Sequence, residues 1–299
     1  MSSVAEPLIN YLRQLQSEGQ THVTIDDDVR PILREFFIRA KTGKATTPPA
    51  SQTSQVSATK SEPAVQVPTL AAAAKELEVP QEIPTKVIAE GGSKDQKIAS
   101  LKKQAESCAE AKTLGTLRQT MVFSTGNTNA DVMLVGEAPG FDEERLKEPF
   151  VGKAGQKLDG ILAAMGIDRK QTYISNIVKF RPAMENQTTN NRKPTPAEMA
   201  AFLPFVHQEI EIVRPKVIIA LGGTAAQALL ECTDPVAKMR GEFHRFGSIP
   251  LRVTYHPSYI LHNEATSEKR KLWEDMLAVM GLLEMPISDK QQSFFLPKA

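Results

Sequence analysis

The sequence predicts an α/β protein whose main domain is a three-layer α/β/α sandwich on a four-stranded parallel sheet. Four short apolar runs of the kind found in buried parallel strands begin at Asp131, Thr172, Lys216 and Leu251. Helical patterns separate them, and the clearest starts at Thr195 with a capping box and a proline at the first helical position. Strands alternating with helices predict a sheet covered on both faces, with ligands at the carboxyl ends of the strands.

Composition divides the chain into four segments. Residues 1–41 carry two short amphipathic patterns and are predicted to be a helical N-terminal element, for which we expect a protein partner. Residues 42–95 have no aromatic residue and are rich in Ala, Thr, Ser, Pro, Gln and Lys, which predicts a disordered linker. Residues 96–288 are the predicted catalytic domain, and residues 289–299 a tail.

Charge and cysteine content limit the function classes. The 36 Lys and Arg residues against 35 Asp and Glu residues give a net charge of +1, so bulk charge predicts neither nucleic acid nor membrane binding. The start of the chain lacks a secretion signal and no stretch of 18 apolar residues occurs, so we expect a cytoplasmic protein with no membrane contact. Two cysteines, Cys108 and Cys232, exclude a disulfide framework and a cluster held by four thiolates of this chain.

Polar residues stand at the predicted strand ends. The first strand runs into Gly-Glu-Ala-Pro-Gly at 136–140, which is either a ligand loop or a plain turn with an exposed acid. Asn176 interrupts the apolar second strand and is either satisfied structurally or reserved for a ligand. His256 follows the fourth strand, where a structural hydrogen bond or a catalytic role is open to it.

Six motifs, in this order and spacing, resemble the type-4 (family 4) uracil-DNA glycosylases. They are Gly-Glu-Ala-Pro-Gly, Pro-Phe-Val-Gly-Lys-Ala-Gly, Tyr-Ile-Ser-Asn-Ile-Val-Lys-Phe-Arg-Pro, Asn-Arg-Lys-Pro-Thr-Pro-Ala-Glu, Arg-Pro-Lys-Val-Ile-Ile-Ala-Leu-Gly and Thr-Tyr-His-Pro-Ser-Tyr. The resemblance covers about residues 106–281. It implies an enzyme that flips uracil out of DNA and hydrolyses its N-glycosidic bond, which leaves an abasic site and initiates base excision repair.

The resemblance implies a role for each residue of the uracil site. Phe150 would stack on the extruded base, although a core phenylalanine is the alternative. Asn176 would accept a hydrogen bond from uracil N3–H and donate one to O4, a pattern that cytosine reverses. His256 would donate to O2 and stabilise the developing uracil anion, for which a neutral imidazole suffices. Ala138 would line the base, at the position where more distant relatives carry an aspartate base.

Two acids are expected near the sugar. Glu137 would position or activate the attacking water, or stabilise the sugar cation by its charge alone. Glu143 is expected to have a supporting role beside Glu137.

The resemblance also implies a DNA surface. Tyr259, Ile260 and Leu261 would form a projecting wedge that fills the gap left by the flipped nucleotide, unless the loop packs on Trp273, and Ser258 is expected to contact DNA beside it. Gly222, Gly223 and Thr224 would hold a phosphate on backbone N–H groups at a helix start. A basic rim is expected from Lys179, Arg181, Arg192, Lys193, Arg240 and Arg245.

The chain departs from the family at the metal site. Type-4 enzymes usually carry four cysteines that bind a 4Fe–4S cluster, but this chain keeps only Cys108 and has Ala111, Phe180 and Phe202 at the other three positions. We therefore expect no cluster and no other metal or cofactor, with apolar packing of the two rings near Ala111 in its place. We also expect a monomer. The alternatives to an enzyme are a catalytically inactive DNA-lesion-binding protein on the same fold and a flavodoxin-like nucleotide-binding module.

Overall fold

The computed structural model describes residues 87–296. The predicted N-terminal element and the linker as far as residue 86 lie outside the described part, as do residues 297–299. Within residues 87–296, no helix combines the length and the apolar character that crossing a membrane requires.

The central sheet has six strands in the order β2-β4-β3-β6-β8-β7. Its four inner strands run parallel, which confirms the four-stranded parallel sheet that the sequence predicts. The short outer strands β2 and β7 pair antiparallel at the two edges, and β1 pairs with β5 in a separate two-stranded sheet. The strands are β1 (Leu117–Met121), β2 (Thr125–Gly126), β3 (Val132–Gly136), β4 (Tyr173–Asn176), β5 (Phe180–Pro182), β6 (Val217–Leu221), β7 (Phe243–Phe246) and β8 (Ile249–Thr254).

Helices cover both faces of this sheet. The helix at Pro196–Val213 begins after Thr195, as the capping box predicts. The Thr195 side chain accepts from the Glu198 N–H, and the Glu198 carboxylate accepts from the Thr195 N–H. Within residues 87–296 the helices are α1 (Lys94–Glu106), α2 (Ala109–Leu114), α3 (Phe141–Leu146), α4 (Lys153–Met165), α5 (Pro196–Val213), α6 (Gly223–Leu230), α7 (Val236–Met239), α8 (Pro257–His262), α9 (Thr266–Leu282) and α10 (Asp289–Ser293), with a 3₁₀ turn at Arg169–Gln171.

Two hydrophobic cores lie on opposite faces of the sheet because successive strand residues point to opposite sides. Met133 and Val135 of β3 pack with α1, α2, α5 and α6 in the first core. Val132 and Leu134 pack with α4, α8 and α9 in the second core. The central strands are therefore buried on both faces, which explains their continuous apolar runs.

Both predicted boundaries of the catalytic domain are wrong by several residues. Val87 and Ala89 pack against the first core and α1 begins at Lys94, so the ordered part starts before residue 96. At the other end, the predicted tail includes α10, the Phe294 ring lies 5.2 Å from the Trp273 ring, and the Trp273 indole donates to a backbone carbonyl of α10. Each segment carries only one three-residue apolar run, at 87–89 and 294–296, which is too short to show a helical or strand period although it packs on a core that is already present.

Candidate active site

The carboxyl ends of the four parallel strands surround a pocket of about 590 Å³. This is the edge at which ligands bind in sheets of this type. Most of the predicted site residues line the pocket together: Glu137, Ala138, Glu143, Phe150, Asn176, Gly222, Gly223, Thr224, His256, Ser258 and Tyr259. Arg181, Arg240, Ile260 and Leu261 were predicted for the same region and are not part of the lining.

Asn176 is the last residue of β4, lines the pocket and has an unsatisfied acceptor in its side chain. The side chain is only 2% exposed, and its Oδ1 atom is buried without a hydrogen-bond partner. Leaving a buried polar atom unpaired costs about 1–3 kcal/mol. The fold tolerates this cost at the wall of a ligand pocket, which indicates that Oδ1 is reserved for a donor on the ligand.

Phe150 adopts a backbone conformation that is unfavourable for an aromatic residue. Its φ angle is +54°, in the left-handed region that normally favours glycine. The buried ring lies 5.7 Å from the His256 ring, at an angle of 34°. Backbone strain of this kind costs on the order of 1–3 kcal/mol and is concentrated at functional sites.

Two glycines permit this arrangement. A Cβ atom on Gly155 would overlap the Phe150 carbonyl, so glycine is required for the helix α4 to start against it. A Cβ on Gly136 would lie 2.5 Å from the Phe150 Cζ atom and would also overlap Asn176 Oδ1. Gly136 therefore keeps open the space between the ring and the amide. The sequence shows that both positions are glycine, but it does not show which atoms a Cβ at these positions would overlap.

His256 is held as a neutral imidazole with a defined tautomer. It caps the N-terminus of α8, and its Nδ1 atom accepts from the Ser258 N–H at 3.2 Å and lies 2.7 Å from Ser258 Oγ. Burial lowers the pKa of the ring to about 4. Because Nδ1 is the acceptor, the single proton resides on Nε2, which is the donor that a base oxygen in the pocket requires.

The two predicted acids differ in their partners. Glu143 accepts from the Val151 and Gly152 N–H groups through Oε1 and from the Gly140 N–H through Oε2. It therefore links the loop before α3 to the loop before α4. Glu137 accepts a hydrogen bond from the Thr224 hydroxyl at Oε2, and its Oε1 has no hydrogen-bond partner among residues 87–296. Glu137 is therefore the acid with an oxygen available for water or substrate.

A buried polar network lies directly behind Asn176. The Lys179 ammonium donates to the Asn176 carbonyl at 2.9 Å, to Ser175 Oγ at 2.6 Å and to Glu209 Oε2 at 2.5 Å, while the Tyr173 hydroxyl donates to Glu209 Oε1 at 3.0 Å. Lys179 and Glu209 are both fully buried. Burial lowers the pKa of Lys179, and the nearby Glu209 carboxylate opposes this shift. The sequence prediction placed Lys179 on a basic rim, and this is wrong because the side chain points into the protein.

The predicted wedge is a short helix. Residues 257–262 form α8, and Ile260 is only 4% exposed because it packs in the second core with Trp273. The prediction of a projecting Ile260 is therefore wrong. Tyr259 is 39% exposed and stacks on Tyr255 with ring centroids 4.6 Å apart. Any apolar insertion into DNA from α8 would have to come from Tyr259 or the partly buried Leu261.

The arginines predicted to contact DNA are engaged inside the protein. Buried Arg181 donates to Glu144 Oε2 and Asn191 Oδ1, both at 2.9 Å, and to two loop carbonyls. Arg240 pairs with Asp275 at 3.0 Å and lies over the Tyr255 ring. Neither guanidinium is free for phosphate, which argues against the predicted contact. Arg192 is bound to Glu198, and Lys193 stays exposed at the pocket mouth.

The four positions of the family's metal site do meet in space, but they do not fit an iron–sulfur cluster. Cys108, Ala111 and Phe180 line one cavity of about 370 Å³, and the Phe180 ring lies 5.6 Å from the Phe202 ring. These four positions supply one sulfur ligand, whereas a 4Fe–4S cluster is held by four cysteine thiolates. Burial raises the pKa of the Cys108 thiol, which disfavours the thiolate that binds metals.

Comparisons with known proteins identify the relatives of this chain. A family model described as the uracil DNA glycosylase superfamily matches residues 123–277. The type-4 uracil-DNA glycosylase of Thermotoga maritima is 39% identical over 161 residues, which are 53% of this chain and 81% of the relative. The type-4 enzyme of Pyrobaculum aerophilum is 36% identical over 178 residues, 57% of this chain and 86% of the relative. A type-5 uracil-DNA glycosylase of the same organism is 29% identical over 150 residues, which are 44% of this chain and 63% of the relative.

Proposed function

Because this chain belongs to the uracil-DNA glycosylase superfamily and, within it, to the type-4 uracil-DNA glycosylases, we propose that it flips uracil out of DNA and hydrolyses the N-glycosidic bond. It is thus a hydrolase of N-glycosyl bonds that acts in DNA repair. The product is an abasic site, with which base excision repair begins.

The unsatisfied Oδ1 atom of Asn176 carries this proposal. Uracil presents N3–H as a donor and O4 as an acceptor, so the Asn176 amide satisfies both atoms with its carbonyl and its NH₂ group. Cytosine presents an acceptor at N3 and a donor at N4, which would leave buried polar groups facing like partners. The Phe150 ring beside the amide provides the face on which the extruded base stacks.

Neutral His256 supports the departure of the base. Cleavage places negative charge on uracil O2, and a donor aimed at that atom stabilises charge that develops only as the bond breaks. The Nε2–H group of His256 is that donor, because Nδ1 is occupied by Ser258. Glu137 either orients the water that attacks the sugar carbon or stabilises the sugar cation by its charge, and both roles use its unpaired oxygen.

The reaction proposed here uses no metal. Cys108, Ala111, Phe180 and Phe202 support this proposal, because their side chains pack where the cluster ligands of the family would stand. Protein purified without oxygen should be colourless, contain no stoichiometric iron and keep its activity after chelation. Broad absorbance near 400 nm with about four irons per chain would refute this.

We also propose that the protein acts as a monomer in the cytoplasm, where its DNA substrate would lie in a bacterial cell. The partner-docking role of residues 1–41 stays a prediction. Its test is a chain beginning at Val87, which keeps the residues that pack on the first core and should therefore keep its activity on short oligonucleotides and lose only the partner.

The function is tested with an oligonucleotide that contains one uracil, treated with alkali after incubation to break abasic sites. Strand cleavage after alkali, but not before it, supports a glycosylase that does not nick DNA. Retention of the oligonucleotide without cleavage would instead support the inactive lesion-binding alternative. Borohydride should trap no protein–DNA adduct, because water and not a lysine amine attacks the sugar.

A further inference from the structure

Thr224 and Glu137 are brought together by neighbouring strands of the sheet. Glu137 follows β3, Thr224 lies in the first turn of α6 after β6, and β3 pairs with β6 in parallel register through Val135 and Ala220. Gly222, with a φ of +91°, turns the chain between β6 and α6. The Thr224 hydroxyl donates to Glu137 Oε2 inside the pocket.

This contact commits the Thr224 hydroxyl to Glu137 and leaves the predicted phosphate site to the backbone N–H groups. A threonine hydroxyl has a single proton to donate. In the structure that proton is directed to a carboxylate that lines the pocket, so it is not available to a DNA phosphate at the same time. Phosphate binding at this helix start would use the backbone N–H groups alone.

The partner of Glu137 differs from the partners of Glu143 and Glu144 in the following helix α3. Glu144 is paired with Arg118 at 3.1 Å and Arg181 at 2.9 Å, and Glu143 accepts from three backbone N–H groups. Glu137 receives one neutral donor on one oxygen. A neutral donor fixes the orientation of a carboxylate and leaves its negative charge uncompensated, which a water-orienting or cation-stabilising group requires.

We propose that Thr224 is the positioning residue for Glu137: its hydroxyl fixes Oε2 so that Oε1 faces the attacking water or the sugar. This inference rests on the proposed glycosylase function and deepens it. Without the hydroxyl, Glu137 gains rotational freedom, and misplacement of a catalytic group by about 1 Å can cost on the order of 10²-fold in rate. The loss appears in the chemical step and not in DNA affinity.

The test compares the full-length wild type with Thr224→Val, Thr224→Ser and the remote control Thr113→Val, whose native hydroxyl bonds only within α2. Single-turnover uracil release and the salt dependence of binding to a uracil-free duplex are measured for each protein. We expect Thr224→Val to release uracil about 10–100-fold more slowly, while Thr224→Ser and Thr113→Val stay within about threefold of the wild type. The salt slope should be the same for all four proteins.

A double-mutant cycle with Glu137→Gln separates positioning from a general structural effect. If Thr224 acts through Glu137, Thr224→Val should add less than about twofold to the loss caused by Glu137→Gln. Additive losses, a full rate in Thr224→Val, or weaker DNA binding with a salt slope lowered by about one would each overturn the role of Thr224 while wild-type activity stands. If the wild type releases no uracil, the proposed function fails and this inference fails with it.

Discussion

The uracil pocket and the Cys108 cavity lie at different places on the same domain and are built on opposite physical principles. The uracil pocket contains an unpaired buried acceptor on Asn176 and a strained backbone at Phe150. Around Cys108, the three positions at which the family carries its other cluster cysteines hold an alanine and two phenylalanines, whose rings contact each other. The first region therefore gives up stability to keep a binding surface, and the second contributes stability where the family usually holds a metal.

This contrast predicts that changes in the two regions have opposite consequences. Asn176→Ala and His256→Ala should each lower the single-turnover rate by roughly 10²-fold or more, because each removes one preorganised hydrogen-bond partner of the base. Asn176→Ala should not lower the free energy of unfolding, since Oδ1 has no partner in the free protein. Oligonucleotide cleavage and urea unfolding measure the two effects, and a wild-type rate in both variants would remove the assignment.

A second comparison uses two glycines. Gly136→Ala would push a methyl group against the Phe150 ring and the Asn176 amide, so we expect the uracil pocket to close and the rate to fall by at least tenfold. Gly160→Ala in the middle of α4 meets no atom within 4 Å and should stabilise the protein by about 0.5–1 kcal/mol at an unchanged rate. Equal rates in the two variants would show that Gly136 has no role in shaping the site.

Phe202→Ala tests the second region. Phe202 is fully buried against Phe180 and Phe205, so its truncation should lower the free energy of unfolding by about 3–5 kcal/mol. The folded fraction should release uracil at a rate within a few fold of the wild type. A large rate loss at full stability would instead mean that the Cys108 cavity takes part in the reaction.

The lowered pKa of His256 predicts a smaller effect that depends on pH. The folded protein holds the ring neutral down to about pH 4, whereas the ring in the unfolded chain binds a proton below about pH 6.5. The unfolded state therefore binds more protons in this window, and stability falls as the pH decreases from 6.5 to 4. His256→Ala should lose less stability across this window, by on the order of 2 kcal/mol. Identical pH dependence of urea unfolding in both proteins would contradict the neutral assignment.

The sequence predicted the parts of the molecule that depend on local pattern. The four parallel strands and the capped helix α5 were readable because continuous apolar runs and capping residues act over a few positions. The edge strands β2 and β7 were not readable, because short strands at a sheet edge depend on the neighbour that pairs with them.

The site was predictable in its residues and less so in their contacts. Asn176 and His256 stood out as polar residues at strand ends, and both line the pocket. The ion pair of Lys179 with Glu209 joins residues 30 positions apart, and no local pattern indicates such a pairing. The left-handed backbone of Phe150 and the contact of Thr224 with Glu137 are likewise products of tertiary structure.

The central claim is that Asn176 reads uracil with an acceptor that the fold leaves unpaired. Its most direct test is the release of free base, measured by chromatography, from matched oligonucleotides that carry a single uracil or a single cytosine at the same position. The wild type should release uracil and no detectable cytosine, and Asn176→Ala should lose at least about 10²-fold of the uracil rate while it binds uracil-free DNA as before. Release of both bases at similar rates, or uracil release undiminished in Asn176→Ala, would contradict the account.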